Sequence, residues 1–89
     1  MKEIYGKFRQ KYPKTVKYIE DNITSLRCNM CGRPILRETN VEGYPYQCMN
    51  CDENLYLFET TKAEGQFSDE EIKDLIEDTA AKLLLDDIR

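Results

Sequence analysis

The chain has 89 residues, enough for one compact domain or a small metal-bound unit with helical arms, and too few for two independent cores. It is 40% apolar and 34% charged, with a mean hydropathy of -0.69, and no run approaches the ~20 apolar residues that span a bilayer, so no membrane role is expected. The opening residues, Met1 to Lys7, lack the apolar segment of a secretory signal, which predicts a cytoplasmic protein whose cysteines are reduced.

The net charge of -4 is unevenly spread. Residues 1–27 carry seven Lys or Arg against three Asp or Glu, residues 28–51 two against two, and residues 52–89 four against twelve. Oppositely charged ends either pair with each other, within the molecule or across a dimer, or face different partners, the basic arm a nucleic acid and the acidic tail a protein.

In chain order, Ile4, Tyr5, Phe8, Tyr12, Val16, Ile19, Ile23 and Leu26 recur mostly at intervals of three or four. They occupy about one third of a helical wheel, which predicts a basic amphipathic helical arm over residues 1–26. Pro13 interrupts it and is expected to kink the helix or divide it in two while the apolar stripe continues. Residues 35–39 and 44–47 then read as strands around an Asn40 to Gly43 turn, and 55–60, rich in apolar and aromatic residues, as a third. The segment 61–66, with Lys62, Glu64 and Gly65, reads as a linker.

Over residues 68–89 an acidic amphipathic helix is expected. Ser68 and Glu71 have the spacing of a capping box, Phe67 and Ile72 that of a hydrophobic staple, and Asp69, Glu70 and Glu71 suit the positive end of the helix dipole. The apolar face is Ile72, Leu75, Ile76, Ala80, Leu83 and Leu84, with Leu85 and Ile88 outside it. Last turns that are apolar nearly all round call for a second neighbour, a dimer mate or another protein, unless they pack on the N-terminal arm.

The chemistry concentrates in Cys28-Asn29-Met30-Cys31 and Cys48-Met49-Asn50-Cys51. Each pair can form a tight turn whose amides face the sulfurs, and a hairpin that brings two such turns together completes a tetrahedral set of thiolates for Zn²⁺. Gly32 follows the first pair, where the chain leaves the turn. Four thiolates leave no open coordination position, so the zinc is expected to be structural. Rubredoxin-like iron uses the same ligands, whereas a redox dithiol needs one pair beside a βαβ pattern that is absent here.

Through Cys28, Cys31, Gly32, Cys48 and Cys51 the chain resembles the zinc-ribbon family, closely over 28–51 and loosely over 27–60. The resemblance implies a three-stranded zinc ribbon, placed at residues 27–61, within a small α+β metal-bound domain flanked by the two amphipathic helices. It also implies a binding module of the kind common in transcription and translation machinery. Cys31-Gly32-Arg33-Pro34-Ile35 further resembles the start of the DksA and TraR zinc finger, although there the last cysteine leads into a helix and here into the strand-like Leu55 to Phe58.

With no histidine, no phosphate-binding loop and no dinucleotide fingerprint, neither an enzyme nor a small-molecule substrate is expected. The favoured function is an adaptor or regulator, with transcription as one setting, that binds a protein through the C-terminal helix or by self-association. One form of it has the acidic tail imitating DNA in a basic groove. The alternative is a nucleic-acid-binding ribbon in which Arg33, Arg37 and Lys62 contact phosphates and Tyr44, Tyr46, Tyr56 or Phe58 stack on bases. The ribbon's neutrality argues against it, and the same aromatics suit a cover over the metal site.

Overall fold

The computed structural model describes residues 3–86. Two short helices, α1 (Glu3–Phe8) and α2 (Pro13–Asn22), open the chain. Proline divides them, as its ring chemistry requires, and Pro13 becomes the first residue of α2, where a missing N–H costs nothing. Across the division Ile4, Tyr5, Tyr12, Val16 and Ile19 form one buried surface.

The helical phase stops earlier than the spacing suggests. Ile23 and Leu26, expected on the helical stripe, lie instead on β1 (Ile23–Cys28). The Asn22 side-chain amide donates to the Tyr18 carbonyl at 2.9 Å and closes α2. Branched Ile23 and Thr24 then favour extended backbone, and the Thr24 hydroxyl donates to the Ile35 carbonyl at 2.8 Å on the neighbouring strand.

Four more strands follow: β2 (Pro34–Arg37), β3 (Tyr46–Cys48), β4 (Glu53–Leu55) and β5 (Thr60–Lys62). All pairings are antiparallel, in the order β4-β3-β2-β1-β5. The sheet therefore has five strands where three were expected. The stretch expected as one strand over 55–60 ends at Leu55, bends through a 3-10 turn at Leu57–Glu59, and returns on the opposite edge, with Thr60 opposite Cys28. That bend lets branched Thr60 and Thr61 cover the otherwise open edge of β1. The stretch read as a linker continues this edge: the Ala63 N–H donates to the Ser25 carbonyl at 2.8 Å, and Ala63 is buried.

The sheet separates two small cores, which explains why Pro34, Ile35 and Leu36 are buried in succession. Leu36 faces the helices and joins Val16, Ile19, Ile72 and Ile76; Ile35 faces the other way and joins Cys28, Cys48 and Leu55. A strand buried on both faces reads as a continuous apolar run.

The last helix, α3 (Asp69–Leu83), begins where its capping signals place it. The Glu71 N–H donates to Ser68 Oγ and the Ser68 N–H to Glu71 Oε1, both at 3.1 Å, while Phe67 and Ile72 are buried in the same core. The apolar face of α3 is turned inward at Ile72, Leu75, Ile76 and Ala80, with Leu83 against the same core. Leu84 ends the helix in the left-handed region (φ 51°) and is 75% exposed; Leu85 is half-buried, and Ile88 lies outside the described residues. Among the described residues no helix is long and apolar enough to cross a membrane.

A long-range contact closes the helical layer. Tyr12 offers α2 no side-chain cap, and the Asp86 carboxylate takes its place, accepting from the Lys14 N–H at 3.0 Å and the Thr15 N–H at 2.8 Å. Burial pushes the Asp86 carboxyl up, but the bonds from Thr15 and Lys14 outweigh it and hold the group below its usual range. A lowered folded-state value means a contribution present at neutral pH and lost as pH falls through that value. Asp86→Ala is therefore expected to cost about 1 kcal/mol at pH 7, read by thermal unfolding against the parent, with the difference shrinking in acid; an unchanged midpoint at pH 7 would remove the cap from the account.

Candidate metal centre

Each cysteine pair closes a hairpin. Cys28 is the last residue of β1 and Cys48 the last of β3, so each turn leads directly into the returning strand. In the first turn the Gly32 N–H donates to the Cys28 carbonyl at 2.8 Å and the Cys28 N–H to the Arg33 carbonyl at 2.9 Å. In the second the Cys51 N–H points at Cys48 Sγ, 3.4 Å away. The β2–β3 pairing, with Leu36 opposite Gln47 and Arg37 opposite Tyr46, sets the two hairpins side by side and brings both turns to one end of the sheet.

The four sulfurs lie within 4.8 Å of one another. Cys28 and Cys51 are 3.8 Å apart and Cys31 and Cys48 3.5 Å, and all four cysteines are free of disulfides. Metal–sulfur bonds of ~2.3 Å at tetrahedral angles place sulfurs about 3.8 Å apart, so the set has the dimensions of a four-thiolate metal site and could hold a metal ion, consistent with zinc. Cys28 and Cys48 are buried while Cys31 and Cys51 are half-buried, which puts the site at the edge of the outer core.

The thiols differ in how readily they ionise. Burial pushes Cys48 upward, and burial together with the neighbouring sulfurs pushes Cys51 up to about 11. Cys31 goes the other way: burial raises it, but hydrogen bonds involving the Arg33 backbone, the Asn50 side chain and neighbouring cysteines bring it down to about 7. The charge of a Cys31 thiolate opposes ionisation of Cys48 and Cys51. A divalent cation at the centre reverses that opposition, because a coordinating thiol is deprotonated outright.

The residue after each pair adopts the left-handed conformation: Gly32 at φ 76° and Asp52 at φ 57°. Glycine takes this conformation freely, and aspartate is among the few other residues that visit it routinely. Asp52 is held there by Lys82 of α3. Two more side chains run from the first turn to the same helix. The Arg27 guanidinium donates to the Gly32 carbonyl at 2.9 Å, bonds both oxygens of Glu71, and lies over the Phe67 ring at 4.9 Å. Arg33 reaches Asp74 at 3.5 Å and Asp78 at 3.3 Å. Glu71, Asp74, Asp78 and Lys82, spaced by three or four, form one stripe along α3. The helix is thus fastened to both cysteine turns by charge as well as by its apolar face.

The first turn also organises the surface beyond it. Asn29 donates its backbone N–H to the Glu59 carbonyl at 3.1 Å and its side-chain amide to the Phe58 carbonyl at 3.2 Å, and its Oδ1 accepts from the Thr61 hydroxyl. These bonds pin the 3-10 turn that carries Tyr56, Leu57 and Phe58. Tyr44 stacks on Tyr56 at 4.6 Å between ring centroids and Tyr56 on Phe58 at 5.4 Å. Of the aromatics named as base-stacking candidates, Tyr46 packs partly into the outer core and the other three form this ladder. Of the three phosphate candidates, Arg33 is engaged by α3 while Arg37 and Lys62 are exposed. Spacing alone identified the cysteines; Asn29, Asp52 and the Arg27–Glu71 pair have no local sequence signal, because each depends on a partner at least 29 residues away.

No protein-family model, no curated protein and no solved structure matches the chain. The likeness to the DksA and TraR finger thus has no family match behind it.

The Arg27–Glu71 pair gives a pH signature. Hydrogen bonding from Arg27 is the main reason the Glu71 carboxyl falls from 4.5 to about 2. Its contribution is complete above pH 4.5 and drains away as pH falls towards 2. Both side chains are about 29% exposed, so solvent screens the pair and Glu71→Gln is expected to cost about 0.5–1 kcal/mol at pH 7. Measured by denaturant unfolding as a difference from the parent, so that metal loss common to both cancels, that cost should fade through this window; a difference independent of pH would contradict the pairing.

Proposed function

We propose that the chain is a non-enzymatic adaptor in which Cys28, Cys31, Cys48 and Cys51 hold one structural Zn²⁺ ion and the module so organised binds a partner protein. The supporting observation is a rigidly held apolar surface that the fold does not use. Phe58 is 77% exposed, Leu57 60% and Tyr56 40%. A small domain gains by burying such side chains, and here they are instead presented on a turn held by two hydrogen bonds from Asn29, between the first two proposed zinc ligands.

This reading moves the expected contact away from the C-terminal helix, whose apolar face packs on α1, α2 and the sheet. It gives the metal an indirect part in binding: a fully thiolate-ligated ion supplies no open position for chemistry, but it fixes the turn from which the apolar surface is held. The nucleic-acid alternative draws on the same rings, since exposed aromatic faces stack on bases. It has only Arg37 and Lys62 as free phosphate contacts among the residues named for that task.

The test is a paired substitution. Leu57→Ser with Phe58→Ser is expected to leave metal content unchanged and stability within about 0.5 kcal/mol of the parent, since both side chains are exposed, while abolishing retention of the protein partner in affinity capture. Equal capture by parent and variant would place the binding surface elsewhere.

A further inference from the structure

The charge of the segment that carries the ring ladder selects its occupant. The 24 residues from Glu38 to Thr61 contain five carboxylates, Glu38, Glu42, Asp52, Glu53 and Glu59, and neither lysine nor arginine. Only Asp52 among them has an ion-pair partner among the described residues, Lys82. The Tyr44–Tyr56–Phe58 ladder belongs entirely to this segment, and Glu59 directly follows Phe58 as the last residue of the same 3-10 turn. Phosphates would meet repulsion here. A cation would meet both an aromatic face and an unpaired carboxylate.

We infer that the ladder is a docking platform for an arginine-bearing segment of another protein, with a guanidinium plane stacked on the open face of Phe58 and paired with Glu59. Arginine fits better than lysine because its planar, weakly hydrated guanidinium lies flat on a ring while its N–H groups still reach a carboxylate at the edge. Tyr44 and Tyr56 stack behind Phe58 at near-parallel angles of 28° and 14°, so the receiving ring is backed and oriented before anything binds. Preorganisation of this kind lowers the ordering cost of association. The carboxylates add steering, which salt weakens.

The inference rests on the protein-binding reading above and narrows it to a basic occupant. Its test uses the full, metal-loaded chain, with backbone amide spectra recorded during titration by a short blocked arginine-rich peptide, its glutamate counterpart, its lysine counterpart, and a single-stranded oligonucleotide. The arginine peptide is expected to shift the amides of residues 56–60 and Tyr44, to bind more tightly than the lysine peptide, and to weaken as salt rises. Phe58→Leu, which keeps apolar area and removes the π face, should weaken it about two- to fivefold, Phe58→Tyr should restore it, and Glu59→Gln should flatten the salt dependence.

Equal binding of the arginine and glutamate peptides would overturn the basic occupant and leave the protein-binding reading standing. Oligonucleotide shifts at the same amides with no peptide response would overturn both. Shifts that depend on protein concentration alone would replace the occupant by a second copy of the chain. Silence of these amides towards every probe would remove the platform, with the capture experiment still deciding whether a protein binds elsewhere.

Discussion

Four sulfurs held within 4.8 Å of one another are the constraint on which the rest of the molecule depends. The outer core that surrounds them is otherwise little more than Ile35 and Leu55, with Leu26 and Tyr46 partly covering it. Burying two aliphatic side chains contributes about 3–6 kcal/mol, which cannot alone offset ordering four short strands and two tight turns at about 1–2 kcal/mol per residue. Structural zinc in small domains contributes about 10–16 kcal/mol at neutral pH, comparable with the whole net stability of an ordinary domain, about 5–15 kcal/mol. A metal at this centre would therefore decide whether the outer core forms.

The two sides of the sheet are joined by different physics. On the helical side, apolar burial does the work, with Val16, Ile19, Leu36, Ile72 and Ile76 fully enclosed. Between the cysteine turns and α3, Met49 adds an apolar contact, and the remaining links are ionic and partly exposed. Each such pair contributes only about 0–1 kcal/mol, so the stripe Glu71, Asp74, Asp78 and Lys82 serves chiefly to fix the rotation and height of α3 relative to the turns. The oppositely charged ends of the chain find a partial explanation here. Arg27 of the basic region meets Glu71 of the acidic one, and the start of α2 is capped by Asp86.

Legibility in the sequence followed the range of the interaction. The cysteine spacing, the Ser68–Glu71 box and the division at Pro13 are local signals whose chemistry is complete within a few residues, and the structure places each where its signal lies. Ile23 and Leu26 misled because three- and four-residue spacing continued by coincidence from α2 into β1, where the same two residues end up serving opposite faces. The Leu55 to Thr60 run has the composition of a strand, yet its turn is set by Asn29, 29 residues before Phe58. The fifth strand had no signature of its own: it forms because β1 presents an open edge. Asp52 stood unmarked beside Gly32 because only glycine announces a left-handed residue by itself.

On the proposed reading, metal, turn and platform form one mechanical series. A bound metal would fix the Cys28–Cys31 turn, Asn29 within that turn donates to the Phe58 and Glu59 carbonyls, and that backbone carries the rings. The most direct test of this account is a titration of the reduced, metal-free chain with Zn²⁺ followed by backbone amide spectra. The account predicts saturation at one ion per chain, with resonances of the outer core, of Asn29 and of residues 56–60 becoming dispersed together. Dispersed signals for all of these before metal is added, or saturation at any other stoichiometry, would contradict it.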